Sequence, residues 1–131
     1  MIVLDTHVWV WWICAPENLS PTVQEEIDRQ LALHSVIVST FSTWEVAMLI
    51  AKDRLQLSVD LTEWVRQCER IPGFVFQPIT NAIALAAVNL PGQFHPDPAD
   101  RLIVATARVL GATLVTGDQK IRDYRYVRTL W

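Results

Sequence analysis

The chain has little with which to build a covalent staple, a membrane anchor or a flexible tail. It holds only two cysteines, Cys14 and Cys68, in apolar or helical surroundings and without the spacing of a metal site. They read as reduced thiols of a cytosolic protein. No apolar run approaches the roughly 20 residues of a membrane span. Met1 to Ala15 is apolar, but it lacks a basic start and is interrupted by Asp5 and His7, which argues against a secretion signal. Charged residues make up 19% and hydrophobic residues 51%, a balance that excludes a disordered chain. There is no internal repeat, low-complexity tract or linker. The 131 residues suffice for one domain, spanning 1–131, with a sizeable core.

Charge is scarce but unevenly placed. Residues 1–100 carry five Lys/Arg against twelve Asp/Glu, whereas residues 101–131 carry six Lys/Arg against Asp118 and Asp123. An acidic body with a basic end suits an enzyme that combines a metal site with a phosphate-facing rim. A solvated charged face accounts for the same pattern equally well.

Apolar runs of strand length alternate with helical periodicity along the whole chain. Met1–Leu4, Val36–Ser39, Phe74–Phe76, Ala112–Val115 and Tyr126–Leu130 read as strands, the first as a central one covered on both faces. Helices are expected over Val8–Ile13, from Ser20-Pro21 to Leu33, after Ser42, over 60–70, from Thr80 to Leu90 and from Pro98 to Leu110, with a helical turn near 119–123. Ser42-Thr43-Trp44-Glu45 has the form of a capping box. Asp97-Pro98 is a cap followed by a proline at the first helical position, and Gly111 is the matching stop. This alternation predicts a three-layer α/β/α sandwich around a parallel, roughly five-stranded sheet.

Four acids then fall at one edge of that sheet. Asp5 follows the first strand, Glu45 lies in the helix after the second, Asp100 is in the first turn of its helix, and Asp118 follows the fourth strand. Singly, each has an ordinary explanation as a cap or a first-turn acid. Together they would repel one another without a cation. Mg²⁺ or Mn²⁺ suits such oxygen donors, and could lower the pKa of an attacking water and stabilise charge on a phosphodiester.

Leu4-Asp5-Thr6-His7, Trp44-Glu45, Asp97-Pro98-Ala99-Asp100-Arg101-Leu102-Ile103-Val104-Ala105-Thr106-Ala107 and Leu114-Val115-Thr116-Gly117-Asp118 together resemble a PIN domain. More narrowly, the chain is similar to the VapC-type ribonuclease toxins of type II toxin–antitoxin systems. The likeness spans essentially the whole chain, and the Asp97-to-Arg101 block is its most specific piece. It implies a Mg²⁺- or Mn²⁺-dependent endoribonuclease with Asp5, Glu45, Asp100 and Asp118 as the catalytic quartet, of which Asp5, Asp100 and Asp118 hold the metal. Thr6 and Thr116 would orient carboxylates or water, and Asp97 would cap its helix or join the metal shell. Arg101, Lys120 and Arg122 are the candidates for RNA phosphate contact. A cognate VapB-like antitoxin, a homodimer, a toxin–antitoxin hetero-oligomer, a cytoplasmic setting and no membrane complete the implication.

His7 reads as filling a polar niche, and His95 as a loop residue. Of the six tryptophans, Trp9 and Trp12, three apart on the first helix, are the candidates for an exposed partner surface. Two rivals share the strand-terminal aspartate. A haloacid-dehalogenase-type phosphatase needs an acid two residues after Asp5, where this chain has His7. A receiver-type binding domain needs an acid pair near the first strand and a lysine after the last, and neither is evident. An inactive PIN scaffold acting only in protein binding is a third alternative, disfavoured by the complete quartet.

Overall fold

The computed structural model describes residues 1–131. Its centre is a five-stranded, all-parallel sheet of β1 (Ile2–Leu4), β2 (Val36–Ser39), β3 (Phe74–Gln77), β4 (Thr113–Val115) and β5 (Thr129–Leu130), in the order β3-β2-β1-β4-β5. The strand order reverses direction at β1, which makes the carboxyl end of β1 a topological switch point, where ligands bind in open α/β sheets. Seven helices complete the chain: α1 (Thr6–Cys14), α2 (Pro21–Ala32), α3 (Thr40–Ala51), α4 (Leu61–Glu69), α5 (Asn81–Val88), α6 (Pro98–Leu110) and α7 (Gln119–Arg122).

The expected three layers are present, and side-chain alternation explains them. In β1, Ile2 and Leu4 enter a core with Trp9, Val23, Ile27, Trp64 and Phe74, while Val3 enters the opposite one with Ile83, Ile103, Val104 and Ile121. β2 and β4 divide likewise: Val36, Val38 and Val115 face the first core, and Ile37 and Leu114 the second. Strands buried on both faces explain the unbroken apolar runs.

Local signals set most helix ends. Asp97 accepts from the Ala99 amide (3.0 Å) with Pro98 next to it, and Gly111 ends α6 at φ +64°, a left-handed conformation that glycine adopts at little cost. α6 leads directly into β4, so its first turn lies at the carboxyl edge of the parallel sheet. The two cysteines are unpaired, Cys14 exposed and Cys68 buried, and no helix is long and apolar enough to cross a membrane.

Three expectations are corrected. Ser42 does not cap α3: the helix begins at Thr40, and Ser39 at the end of β2 accepts from the Phe41 amide (3.1 Å). A strand ending in Ser-Thr offers an earlier cap, and Ser42 becomes an interior, fully buried residue. β5 is confined to Thr129–Leu130, because residues 124–127 are drawn into an aromatic turn. Trp9 and Trp12 form no exposed face. Trp9 is completely buried against Trp64, Phe74 and Phe76, and Trp12 stacks on Phe74 with ring centroids 5.7 Å apart. The widely exposed tryptophans are Trp44 and Trp131, both at the sheet's carboxyl side.

Candidate active site

β1 ends at Leu4, and the next residue, Asp5, is the N-cap of α1. Its Oδ1 accepts from the Thr6 amide (2.8 Å), and its Oδ2 from the Thr116 hydroxyl (2.7 Å), which β4 delivers from the neighbouring strand. The same Thr116 oxygen accepts from the Asp118 amide (3.0 Å), so one buried hydroxyl positions two of the four acids. Asp118 in turn caps α7 by accepting from the Lys120 amide (2.9 Å).

Glu45 is held from below. Thr6 Oγ1 lies 2.6 Å from Glu45 Oε1 and 2.8 Å from Ser42 Oγ. A threonine hydroxyl has one proton, and the carboxylate can only accept, so Thr6 donates to Glu45 and accepts from Ser42. Ser42 and Glu45 lie one turn apart on α3, and this relay fixes α3 against the start of α1. Glu45 is therefore no member of a capping box; its partner is a side chain 39 residues away.

Asp5, Glu45, Asp97, Asp100 and Asp118 line one cleft of about 450 Å³ with Thr6, His7, Val8, Trp11, Gly117 and Trp131. Asp97 serves both descriptions, capping α6 while standing at the cleft. Burial, followed by the charges of Asp97, Asp5, Asp118 and Glu45, raises the Asp100 carboxyl from 3.8 to about 7. Asp5 is also raised, chiefly by burial and partly offset by the Thr116 and Thr6 hydrogen bonds. Burial likewise raises Glu45, against the Thr6 bond and with help from Asp5 and Asp97.

The donors are all hard oxygens at one concave site, which is the chemistry of a Mg²⁺ or Mn²⁺ ligand set. No three of the carboxylates, as they stand, are grouped closely enough to grip an ion. The residues match a divalent cation in the chemistry of their donors and in their shared cleft.

Not every predicted residue joins them. Arg101 donates to the carbonyls of Ala87 (2.8 Å), Val88 (3.2 Å), Phe94 (3.0 Å) and His95 (3.3 Å). This guanidinium ties the end of α5 to the loop before α6 and is not among the cleft residues. Lys120 is exposed and lines a neighbouring cavity instead. Arg122 is exposed and lines neither; its nearest partner is Gln119 (3.5 Å).

Four participants escape a reading of the sequence. Ser42 is disguised as a cap. His95, seemingly a plain loop residue, brings Nε2 to 3.1 Å from Asp100 Oδ2, a close approach without hydrogen-bond alignment. Trp11 and Trp131 border the cleft from opposite ends of the chain, with ring centroids 6.1 Å apart. Only the α1 periodicity hints at Trp11, and nothing local hints at Trp131.

A parallel sheet with this switch-point cluster of acids defines a PIN domain, and the chain belongs to that family: the PIN domain pattern matches residues 2–126. It is 37% identical over 132 aligned positions to Ribonuclease VapC22 of Mycobacterium tuberculosis (strain ATCC 25618 / H37Rv), covering 99% of this chain and 98% of that one. Its fold is similar to VapBC2 from Rickettsia felis, solved bound to a DNA fragment from their promoter, at TM-score 0.69 and 17% identity, with 99% and 98% of the chains covered. It is also similar to a toxin–antitoxin complex from Klebsiella pneumoniae, at TM-score 0.63 and 18% identity over 97% and 95% of the chains. At those identities the two solved structures speak for the fold alone.

Proposed function

We propose that this chain is a cytoplasmic, Mg²⁺- or Mn²⁺-dependent endoribonuclease, the toxin of a VapBC-type toxin–antitoxin module. The observation that carries the reading is the convergence of Asp5, Glu45, Asp100 and Asp118 on one cleft, in a chain 37% identical to a ribonuclease along its length. Asp5, Asp100 and Asp118 are the residues to hold the cation, with Asp97 at the margin. A divalent cation there would supply charge neutralisation for a phosphodiester and make an attacking water more acidic. Thr116 and Thr6 keep Asp5 and Glu45 from rotating away. Glu45 Oε1 is occupied by the Thr6 hydroxyl, which leaves Oε2 to take a proton from attacking water.

A ribonuclease of this kind calls for an inhibitor in its own cell, and a cognate VapB-like antitoxin is the partner proposed, in a hetero-oligomer built on a toxin homodimer. An amphipathic antitoxin segment with a basic side chain over the acids complements this cleft.

Incubation of the purified protein with single-stranded and structured RNA tests the reading. Cleavage is expected with Mg²⁺ or Mn²⁺ and none with chelator. Release of phosphate from small phosphomonoesters, with every RNA left intact, would return the site to the dehalogenase alternative.

A further inference from the structure

A second cavity, of about 500 Å³, lies beside the acidic cleft. That volume falls within the roughly 300–1,000 Å³ of ligand pockets. Its walls come from the loop before α6 and the turn after α7, two segments that the sequence places about 30 residues apart. The rings of Phe94 and Tyr124 stand 4.7 Å apart at 54° to each other, and those of Tyr124 and Tyr126 5.5 Å apart at 56°, so the wall is a short ladder of mutually tilted rings. Tyr124 is buried and anchored, its hydroxyl donating to the Pro91 carbonyl at 2.5 Å. Gly92 sits at φ +64° where a Cβ would come within 2.8 Å of the Tyr126 ring, so only glycine lets that ring lie against the loop.

The rim is basic where the neighbouring cleft is acidic. Lys120 and Arg125 border the cavity against a single acid, Asp123, whose Oδ1 already accepts from the Gln119 amide group (2.6 Å). The Arg125 guanidinium lies 4.8 Å over the Tyr126 ring and donates to its hydroxyl at 2.7 Å. No residue lines both cavities, but two contacts link them. His95 lines this one and reaches Asp100 in the other, and Lys120 lines this one while its amide donates to Asp118.

We propose that this cavity binds an unpaired nucleobase of an RNA strand whose neighbouring phosphodiester lies at the acidic cleft, with the Arg125 guanidinium and the Tyr126 ring as the stacking platform and Lys120 meeting a phosphate. The identity of the strand as RNA rests on the ribonuclease reading above. Aromatic rings and guanidinium planes stack bases of any identity, and unpaired bases are the ones free to enter. A cleft of five carboxylates repels a polyanion, so cations beside it are needed to bring the backbone close. The aromatic ladder then fixes which phosphodiester faces the acids.

Binding without turnover isolates this step. Fluorescence anisotropy in chelator would compare four homopolymeric ten-nucleotide oligoribonucleotides with an abasic ribose-phosphate chain of equal length. All carry the same phosphates, so repulsion by the acids cancels in the comparison. Wild type should bind its best homopolymer about five- to a hundredfold more tightly than the abasic chain, the range for one stacked base. Tyr126→Leu, which keeps the apolar bulk, and Arg125→Ala, at an exposed position, should each lose most of that preference. No preference in wild type, or an unchanged preference in folded Tyr126→Leu, overturns the proposal; should Tyr126→Leu not fold, Arg125→Ala decides. Cleavage of the same oligonucleotides with Mn²⁺ reports separately on the ribonuclease reading. Cutting without base preference refutes the pocket alone, and base preference without cutting refutes the nuclease alone.

Discussion

The Thr116 hydroxyl and the Asp5 carboxylate, 111 residues apart in the chain, meet at 2.7 Å because β1 and β4 are parallel neighbours. Each strand hands one side chain to the same edge, and the hydroxyl also accepts the Asp118 amide. The acidic cleft is thus built on the sheet register rather than on loops. A hydrogen bond to a charged group contributes roughly 1.5–3 kcal/mol, and leaving its partners unpaired in a buried site costs a similar amount. Thr116→Val should therefore lower stability by about 2 kcal/mol and weaken Mn²⁺ binding, while Thr116→Ser should restore most of both. Thermal melts and calorimetric titration check this, and a valine variant equal to wild type in both would detach Thr116 from the site.

Asp100 makes the metal-free protein sensitive to pH. Its carboxyl is raised from 3.8 to about 7, so the folded state holds this proton more tightly than the unfolded state. The resulting stabilisation is fully present below about pH 4 and is lost as pH rises through about 7. Asp100→Asn, permanently neutral, should gain on wild type across that window by on the order of 1–2 kcal/mol, once solvent screening is allowed for. Melts from pH 4 to 8 in chelator measure it; a difference independent of pH would mean that neither burial nor the neighbouring acids press on Asp100.

Asp118 separates capping from metal binding. Asn caps a helix about as well as Asp, so Asp118→Asn should melt within about 0.5 kcal/mol of wild type in chelator, or above it. Added Mn²⁺ should stabilise wild type by mass action and the variant far less, and RNA cleavage should disappear. A variant that responds fully to Mn²⁺ and still cuts RNA would leave Asp118 as a cap only.

Arg101 and Lys120 should part company in a salt titration. Arg101→Ala removes donors from four carbonyls and should cost about 2–4 kcal/mol of stability. Arg101→Lys, expected to fold better, should leave the salt dependence of RNA binding unchanged. Lys120→Ala should leave stability intact and reduce the slope of log affinity against log salt by about one unit, the signature of one lost phosphate contact. Equal slopes for wild type and Lys120→Ala would remove Lys120 from the interface.

With Trp9 buried and Trp12 stacked on Phe74, Trp44 is the tryptophan proposed as the anchor of the antitoxin interface. It is 55% exposed, lies 5.2 Å from the Phe41 ring, and borders a cavity of about 200 Å³ with Met48 and Leu49 that also touches Thr6, His7 and Glu45. As an interface anchor it should carry at least about 2 kcal/mol of antitoxin binding, so Trp44→Ala should weaken the complex roughly thirtyfold without lowering the melting temperature. Trp9→Ala should instead destabilise the fold by about 3–5 kcal/mol. Undiminished antitoxin affinity in Trp44→Ala would place the partner elsewhere.

The residues that declare themselves locally are those whose physics is local. Asp97-Pro98 and Gly111 bound α6 because capping and left-handed turns need only adjacent residues. The apolar runs at β1, β2 and β4 imply burial on both faces because a parallel sheet leaves them no polar side. Alternation of strands and helices then dictates a parallel sheet, and with it the placement of Asp5, Glu45, Asp100 and Asp118 at one edge. All of this the sequence determined by itself. Tertiary structure alone decided which contacts complete the site: Ser42 beneath Thr6, Thr116 on Asp5, His95 at Asp100, Trp11 near Trp131, and Arg101 tied to four backbone carbonyls. The reason is distance along the chain. A capped helix is specified within a few residues, but a hydroxyl's partner across two strands, or the burial of one tryptophan and not another, is set by the packing of elements whose relative positions no short stretch encodes.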